Sequence, residues 1–316
     1  MPAALRIKPT DLFTEAEWKS VSKRQPFMGI WLVIHCWGVI LGTMALAIWQ
    51  PILIPFAIMI IGTRQLGLAV LMHEAAHGGL SENKTLNDFL GDWFCSAPIG
   101  QRISSYRPYH LKHHKYAQQQ EDPDLMLSAP FPITRDSLKR KIIRDLTGQT
   151  FLKQRRHQLF KALGMDKRNI KGRENLAETA RSAAIPFYVF SFAMLIGFIA
   201  IGYWWAFFAL WVLPMATWFP LVTRLRNIAE HAVTPDPNDP MRHARTTHAS
   251  MLERIVIAPY WVNYHCEHHM FMHLPCYRLP VAHKLLAEKG ITDRMEVQPD
   301  YRTVLAEASS KVPATA

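Results

Sequence analysis

Residues 27–77 read FMGIWLVIHCWGVILGTMALAIWQPILIPFAIMIIGTRQLGLAVLMHEAAH. The first 23 of them, residues 27–49, hold no Lys, Arg, Asp or Glu. As a helix rising 1.5 Å per residue, that run is roughly 34 Å long, enough for a hydrocarbon core of about 30 Å. A second apolar run starts at Pro51, is interrupted at Arg64 and Gln65, and resumes over residues 66–72. The joint is only Gln50-Pro51, which suits a tight helical hairpin. A lipid-facing charge at mid-membrane costs several kcal/mol, so Arg64 is expected to snorkel or to meet protein. The run ends on His73-Glu74-Ala75-Ala76-His77, with two histidines one helical turn apart on one face. A long second helix would therefore carry both imidazoles out of the bilayer.

Working outward, a second apolar pair covers residues 183–201 and 203–222, joined at Gly202 beside Tyr203, Trp204 and Trp205. Aromatics of that type favour the membrane–water interface. The fourth run would continue past Arg224 and Arg226 to Asn227 and His231. Residues 73–182 carry 19 Lys plus Arg against 12 Asp plus Glu, whereas the turns at Gln50 and Gly202 carry no charge. The positive-inside rule then puts both termini and the long middle segment in the cytoplasm. The expected architecture is all-α and integral to a membrane, with four long transmembrane helices in two hairpins and a helical cytoplasmic cap. The expected division is an N-terminal segment over 1–26, a membrane domain over 27–283, and a C-terminal tail over 284–316. The spans fall at about 27–49, 51–72, 183–201 and 203–222. Residues 89–99 and 255–262 are apolar but too short to span, and read equally as interfacial or core helices. Residues 134–181 are basic and read as solvated helix and loop that touches anionic headgroups.

The chain has 316 residues and a net charge of +11. Its mean hydropathy is near zero only because apolar blocks alternate with charged ones. Cys36, Cys95, Cys266 and Cys276 show no paired spacing and read as reduced thiols, Cys266 as a small packing residue. No secretory signal is expected in the polar first 26 residues. The basic residues sit beside the spans and no nucleic-acid motif accompanies them, which argues against a nucleic-acid role.

Nine of the 15 histidines fall into four groups. HEAAH holds His73 and His77; HLKHH holds His110, His113 and His114; NIAEH holds His231; HCEHH holds His265, His268 and His269. Residues three and four apart share a helix face, so each group can aim its imidazoles at one point. Neutral imidazole is the commonest protein ligand for transition metals. Nine are too many for one ion and about right for two, and no cysteine cluster points to iron–sulfur or thiolate zinc. HEAAH alone also matches the HExxH zinc-protease pattern, with Glu74 as general base; that reading leaves seven clustered histidines unused. A metal carrier would need a polar path through the spans. His35 reads as packed against another helix, His273 and His283 as outer partners of ligands, and His157, His243 and His248 as surface.

HEAAH, HLKHH and HCEHH in this order, around a second hydrophobic pair, resemble the membrane fatty acid desaturase superfamily. HGGLSENKTLNDFLGDW, EDPDL and NYHCEHHMFMHLPCYRLP support the resemblance. The superfamily also holds lipid hydroxylases and carotenoid hydroxylases and ketolases. The resemblance implies two non-haem irons held by His73, His77, His110, His113, His114, His231, His265, His268 and His269. It implies that Asn227 approaches one metal through water, as in stearoyl-CoA desaturases. Glu74 and Glu267 stand beside ligands and would orient them; Asp122 and Asp124 would either do the same or form a turn. Those acyl-CoA enzymes have one more residue between the first two histidines, so the gap here is closer to acyl-lipid and carotenoid branches. The implied activity is O2-dependent oxidation of a lipid chain, most directly desaturation of an acyl lipid. The implied partners are the lipid and a separate donor: a ferredoxin, a rubredoxin or a b-type cytochrome. The expected location is a bacterial inner membrane, with the active site cytoplasmic.

Overall fold

The structure, a computed structural model, describes residues 6–165 and 176–312. It is mostly helical. Strand among the described residues is limited to the parallel pair Thr246–Thr247 and Val297–Gln298. Four helices are long and apolar enough to cross a membrane: Met28–Trp49, Pro51–Ala76, Ala177–Ala200 and Trp204–His231. The first is apolar on every side, as a helix must be when protein covers one face and lipid the other. Leu32, Cys36, Ile40, Met44 and Ala47 recur at helical spacing and are buried, while Trp31, Ile34, Leu41 and Trp49 point outward.

The second helix is buried progressively along its length. Ile52 and Phe56 near its start are exposed, but from residue 61 to 76 only Ala69 escapes full burial. Close approach explains part of this: a Cβ on Gly62 would lie 2.7 Å from Trp218 Cβ, so the second and fourth helices touch backbone to side chain there. Arg64 meets protein. It is 8% exposed, its Nη2 reaches the carbonyls of Arg254 at 3.4 Å and Ile255 at 3.3 Å, and it lies 5.3 Å from the Tyr260 ring. Those carbonyls end the helix Met251–Val256, where the backbone dipole favours a cation. His35 packs against the same segment, its Nδ1 3.0 Å from Tyr260 Oη.

Helix continues beyond the apolar runs at the histidine-bearing ends. The second reaches Ala76 and the fourth His231, so each carries ligand candidates past the point where its sequence turns polar. The third begins at Leu176, earlier than its apolar run. Residues 89–99 form a helical stretch with Phe89, Trp93 and Phe94 outside and Cys95, Ala97 and Ile99 inside. In residues 255–262, Ile255 is exposed while Tyr260 is buried. The basic stretch holds the helices Arg135–Leu146 and Gln149–Ala162, with His157 on the exposed side. Its residues 166–175 lie outside the described residues, as do 1–5 and 313–316 of the two terminal segments.

Candidate metal centre

Four elements converge. The second helix brings His73 and delivers His77 at its end. The helix Ile103–Tyr116 brings His110, His113 and His114, the fourth helix brings His231, and the short helix His265–Met270 brings the last three. The nine rings sort into two groups. His73, His77, His110, His114 and His268 form one, and His113, His231, His265 and His269 the other; in each, one donor atom per residue lies within 4.8 Å of the rest. This corrects the expectation that each histidine box aims at one point. HLKHH sends its i and i+4 rings to the first group and its i+3 ring to the second, and HCEHH does the reverse. At 3.6 residues per turn, i+3 and i+4 lie about 100° apart on opposite sides of i, so one box straddles two centres.

The spacing is that of metal ligands. In the first group, His110 Nε2 lies 2.9 Å from His77 Nε2 and 2.9 Å from His114 Nε2, and His268 Nε2 lies 3.0 Å from His114 Nε2. In the second, His113 lies 3.1 Å from His231 and 3.3 Å from His269, and His265 lies 3.0 Å from His231 and 3.1 Å from His269, all Nε2 to Nε2. Metal–imidazole bonds of about 2.1 Å at right angles put neighbouring nitrogens about 3.0 Å apart. Hydrogen bonding cannot account for the closed square, because a neutral imidazole nitrogen either donates once or accepts once. Three of its rings also face acceptors on their outer side. His113 Nδ1 is 2.8 Å from Asp122 Oδ1, His231 Nδ1 is 3.1 Å from the His243 carbonyl, and His265 Nδ1 is 3.3 Å from Glu230 Oε1. Donation outward leaves three Nε2 lone pairs pointing at one another, an arrangement a cation resolves. In the first group, His73 Nε2 is buried without a hydrogen-bond partner. Both groups thus fit a metal, and their all-imidazole donor sets suit iron, zinc, copper or nickel.

The electrostatics agree. Burial first, and neighbouring rings second, hold His110, His114, His265, His268 and His269 well below the ordinary histidine range. Burial, then His273 and Arg107, pulls His77 down to about 3. These rings are neutral at physiological pH, the state a metal requires.

Around the rings, Asp122 is fixed by three donors: His113, the Gln118 amide at 2.8 Å and the Asp124 amide at 2.8 Å. The EDPDL segment is therefore a turn and a histidine brace at once. Asp124 lies 3.9 Å from His113 Nδ1 and accepts from Tyr109 Oη at 2.5 Å. Glu230, which sequence reasoning did not single out, is buried between Arg226 Nε at 2.5 Å and His265. Its only signal in the sequence is its place beside His231. Glu74 accepts from the Cys276 amide at 2.9 Å and lies 3.9 Å from His73 Nδ1. Glu267 is shared by His283 Nδ1 at 2.5 Å and Thr246 Oγ1. Cys266 is buried and contacts the Met241 carbonyl at 3.2 Å. Asn227 lines a cavity of about 30 Å³ with Tyr106, His113, Glu230, His231 and His265, room for a water.

His243 departs from the surface reading. It is 3% exposed, its ring centroid is 5.3 Å from that of His269, and neither ring nitrogen has a partner. Burial lowers its pKa to about 4. The polar loop folds inward because Arg245, fully buried two residues on, pairs with Glu296 at 2.9 Å and with the Ala232 carbonyl at 2.8 Å. His248 is exposed, as is His273.

The sequence profile of the fatty acid desaturase family matches residues 47–297, a range that holds all nine rings. The chain belongs to the fatty acid desaturase family. Among its relatives, a dihydrorhizobitoxine desaturase of Bradyrhizobium elkanii is 27% identical over 252 residues, covering 78% of this chain and 70% of the relative. An sn-1 oleoyl-lipid 12-desaturase of Anabaena variabilis is 25% identical over 270 residues, covering 78% and 73%. Family and relatives mark this desaturase-family chain as an oxidoreductase with four membrane-type helices and a histidine cluster able to hold metal.

Proposed function

We propose that this desaturase-family protein is a membrane-bound, O2-dependent, non-haem di-iron oxidase that introduces a double bond into a lipid acyl chain. The observation that carries the reading is the division of nine histidines, seven buried and two half-buried, into groups of five and four where two apolar helices end. His73, His77, His110, His114 and His268 would hold one iron, and His113, His231, His265 and His269 the other. When bound, the iron pair supplies the means to activate O2 and remove hydrogen from an unactivated CH2. The chain's own residues hold that site in place. Asp122, Glu230 and the His243 carbonyl keep the protons of three rings on Nδ1. Glu74 and Glu267 act at one remove, tying Cys276, Thr246 and His283 to the helices that carry the rings. Asn227, on the wall of the small cavity, would hold a water at the four-histidine site.

In this reading the spans form two hairpins, and residues 27–283 make one domain with a helical cap on the cytoplasmic face of a bacterial inner membrane. The uncharged turns at Gln50 and Gly202 and the basic middle segment support that orientation. Electrons would come from a ferredoxin, a rubredoxin or a b-type cytochrome, steered by the basic face. The acyl-lipid substrate is supported by the Anabaena relative's name. The Bradyrhizobium relative is named for a different substrate, so the assay covers polar metabolites as well as lipids.

The test is untargeted mass spectrometry of cells making wild type or His268→Ala. A wild-type-only lipid lacking two hydrogens is the expected result. One added oxygen would instead mark a hydroxylase, and an added oxygen with two hydrogens lost a ketolase. No difference, with iron bound and a donor supplied, refutes the proposal.

A further inference from the structure

Two consecutive helices outside the metal centre carry a surface that is both basic and apolar. Between Arg135 and Ala162 the sequence has nine Lys plus Arg against two acids, Asp136 and Asp145. Asp145 is buried and already paired with Arg224 at 2.5 Å and 2.8 Å. The same helices expose large apolar side chains. Leu152 is 66% exposed, and Leu159 and Leu163 continue its stripe at helical spacing, with Ile143 and Leu146 on the preceding helix. A water-facing surface rarely carries such a patch without an occupant.

The depth of the helix Gln149–Ala162 identifies the occupant. Gly148, at its start, packs on Ala216, and Arg155, at its middle, lies 4.8 Å from the Phe187 ring. Ala216 is 12 residues from Trp204, about 18 Å along the fourth span, and Phe187 is 13 residues from Ala200, about 20 Å along the third. Both distances start from the turn at Gly202 and fall short of an apolar layer of about 30 Å; tilt of the spans only shortens them. The preceding helix rises from this depth, because Asp145 near its end pairs with Arg224, 20 residues or about 30 Å along the fourth span, whereas Gln149–Ala162, which meets the spans at its start and its middle at nearly one height, runs close to the membrane plane. Its apolar stripe is then level with acyl chains, and its Lys and Arg side chains are long enough to reach headgroups.

We infer that the helices Arg135–Leu146 and Gln149–Ala162 form a basic shelf set into the histidine-side leaflet that selects anionic phospholipid by its phosphate. Arg135, Lys139, Arg140, Arg144, Lys153 and Arg156 are its exposed cations. Arg155 is excluded, because it is engaged with Phe187, Gln158 and the Ile99 carbonyl. The inference is independent of which metal or substrate the site takes.

The test uses the full-length protein in bilayers of phosphatidylcholine and phosphatidylglycerol at three to one. Lipids that stay with the protein on mild extraction are counted by mass spectrometry. Wild type is expected to enrich phosphatidylglycerol about fivefold over the bulk ratio. The variant with all six exposed cations changed to Gln is expected to return to the bulk ratio. A nitroxide on Leu159→Cys, read by electron paramagnetic resonance against unlabelled buried native cysteines, is expected to be reached by O2 more readily than by a water-soluble nickel relaxant. Unchanged enrichment in the variant, or a label that the nickel complex reaches better, overturns the inference. A variant with unchanged lipid but a raised KM for an acidic redox protein also overturns it, in favour of a donor-docking surface.

Discussion

Asp122→Asn tests whether the two histidine groups are separate centres with separate supports. Asp122 is buried and accepts from His113 Nδ1 and two backbone amides. An Asn side chain offers one acceptor oxygen where the carboxylate offers two, and it turns an NH2 toward a donor. A hydrogen bond to a charged partner contributes about 1.5–3 kcal/mol. At about 1.4 kcal/mol per factor of ten, that is about 10- to 100-fold in affinity, the range found for outer partners of metal-bound histidine. His113 belongs only to the four-histidine group, so the loss should fall on one metal and spare the other. Purified wild type and variant would be loaded with iron, challenged with graded chelator, and assayed for bound iron and for folding by circular dichroism. The expected result is two irons in wild type and, over one to two decades of chelator, one iron in a folded variant. Loss of both irons together, or retention of both with wild-type affinity, would refute the two-centre reasoning.

Acid should destabilise the metal-free protein before His77 protonates in the folded state. His77 has its pKa lowered from 6.5 to about 3, so from pH 6.5 downward the unfolded chain takes up a proton that the folded chain refuses. Stability is unaffected by this group above 6.5 and falls between 6.5 and 3; a melting temperature that is the same at pH 7.5 and 5.5 would contradict this. Gly62→Leu should overpack the contact with Trp218 by about 1–3 kcal/mol or more, seen as a lower melting temperature in detergent, and wild-type stability would mean that the second and fourth helices are not in close contact there. Glu74→Gln keeps an acceptor oxygen for the Cys276 amide, so the variant should retain iron and some lipid product, whereas a protease using Glu74 as base would lose all activity.

The apolar runs of 19 to 23 residues determined the four helices by themselves, because a segment of about 20 predominantly apolar residues has few stable states besides a spanning helix. The spacing of HEAAH, HLKHH and HCEHH was enough to single out eight of the nine rings, with His231 in NIAEH as the ninth. It could not divide them, because helical phase orders side chains around one axis and says nothing about the distance to a neighbouring axis. That division came from packing, which sets His73 and His77 against His110, His114 and His268 and leaves His113 facing His231. Packing also settled Arg64, since the carbonyls that receive it lie about 190 residues further along the chain. His243 is the clearest case. Its loop is polar and reads as surface, yet the Arg245–Glu296 pair, formed across 51 residues, draws it beside His269. Local sequence specifies helix and hydropathy because both depend on neighbours in the chain, whereas burial of a polar loop depends on a partner that only the folded chain supplies.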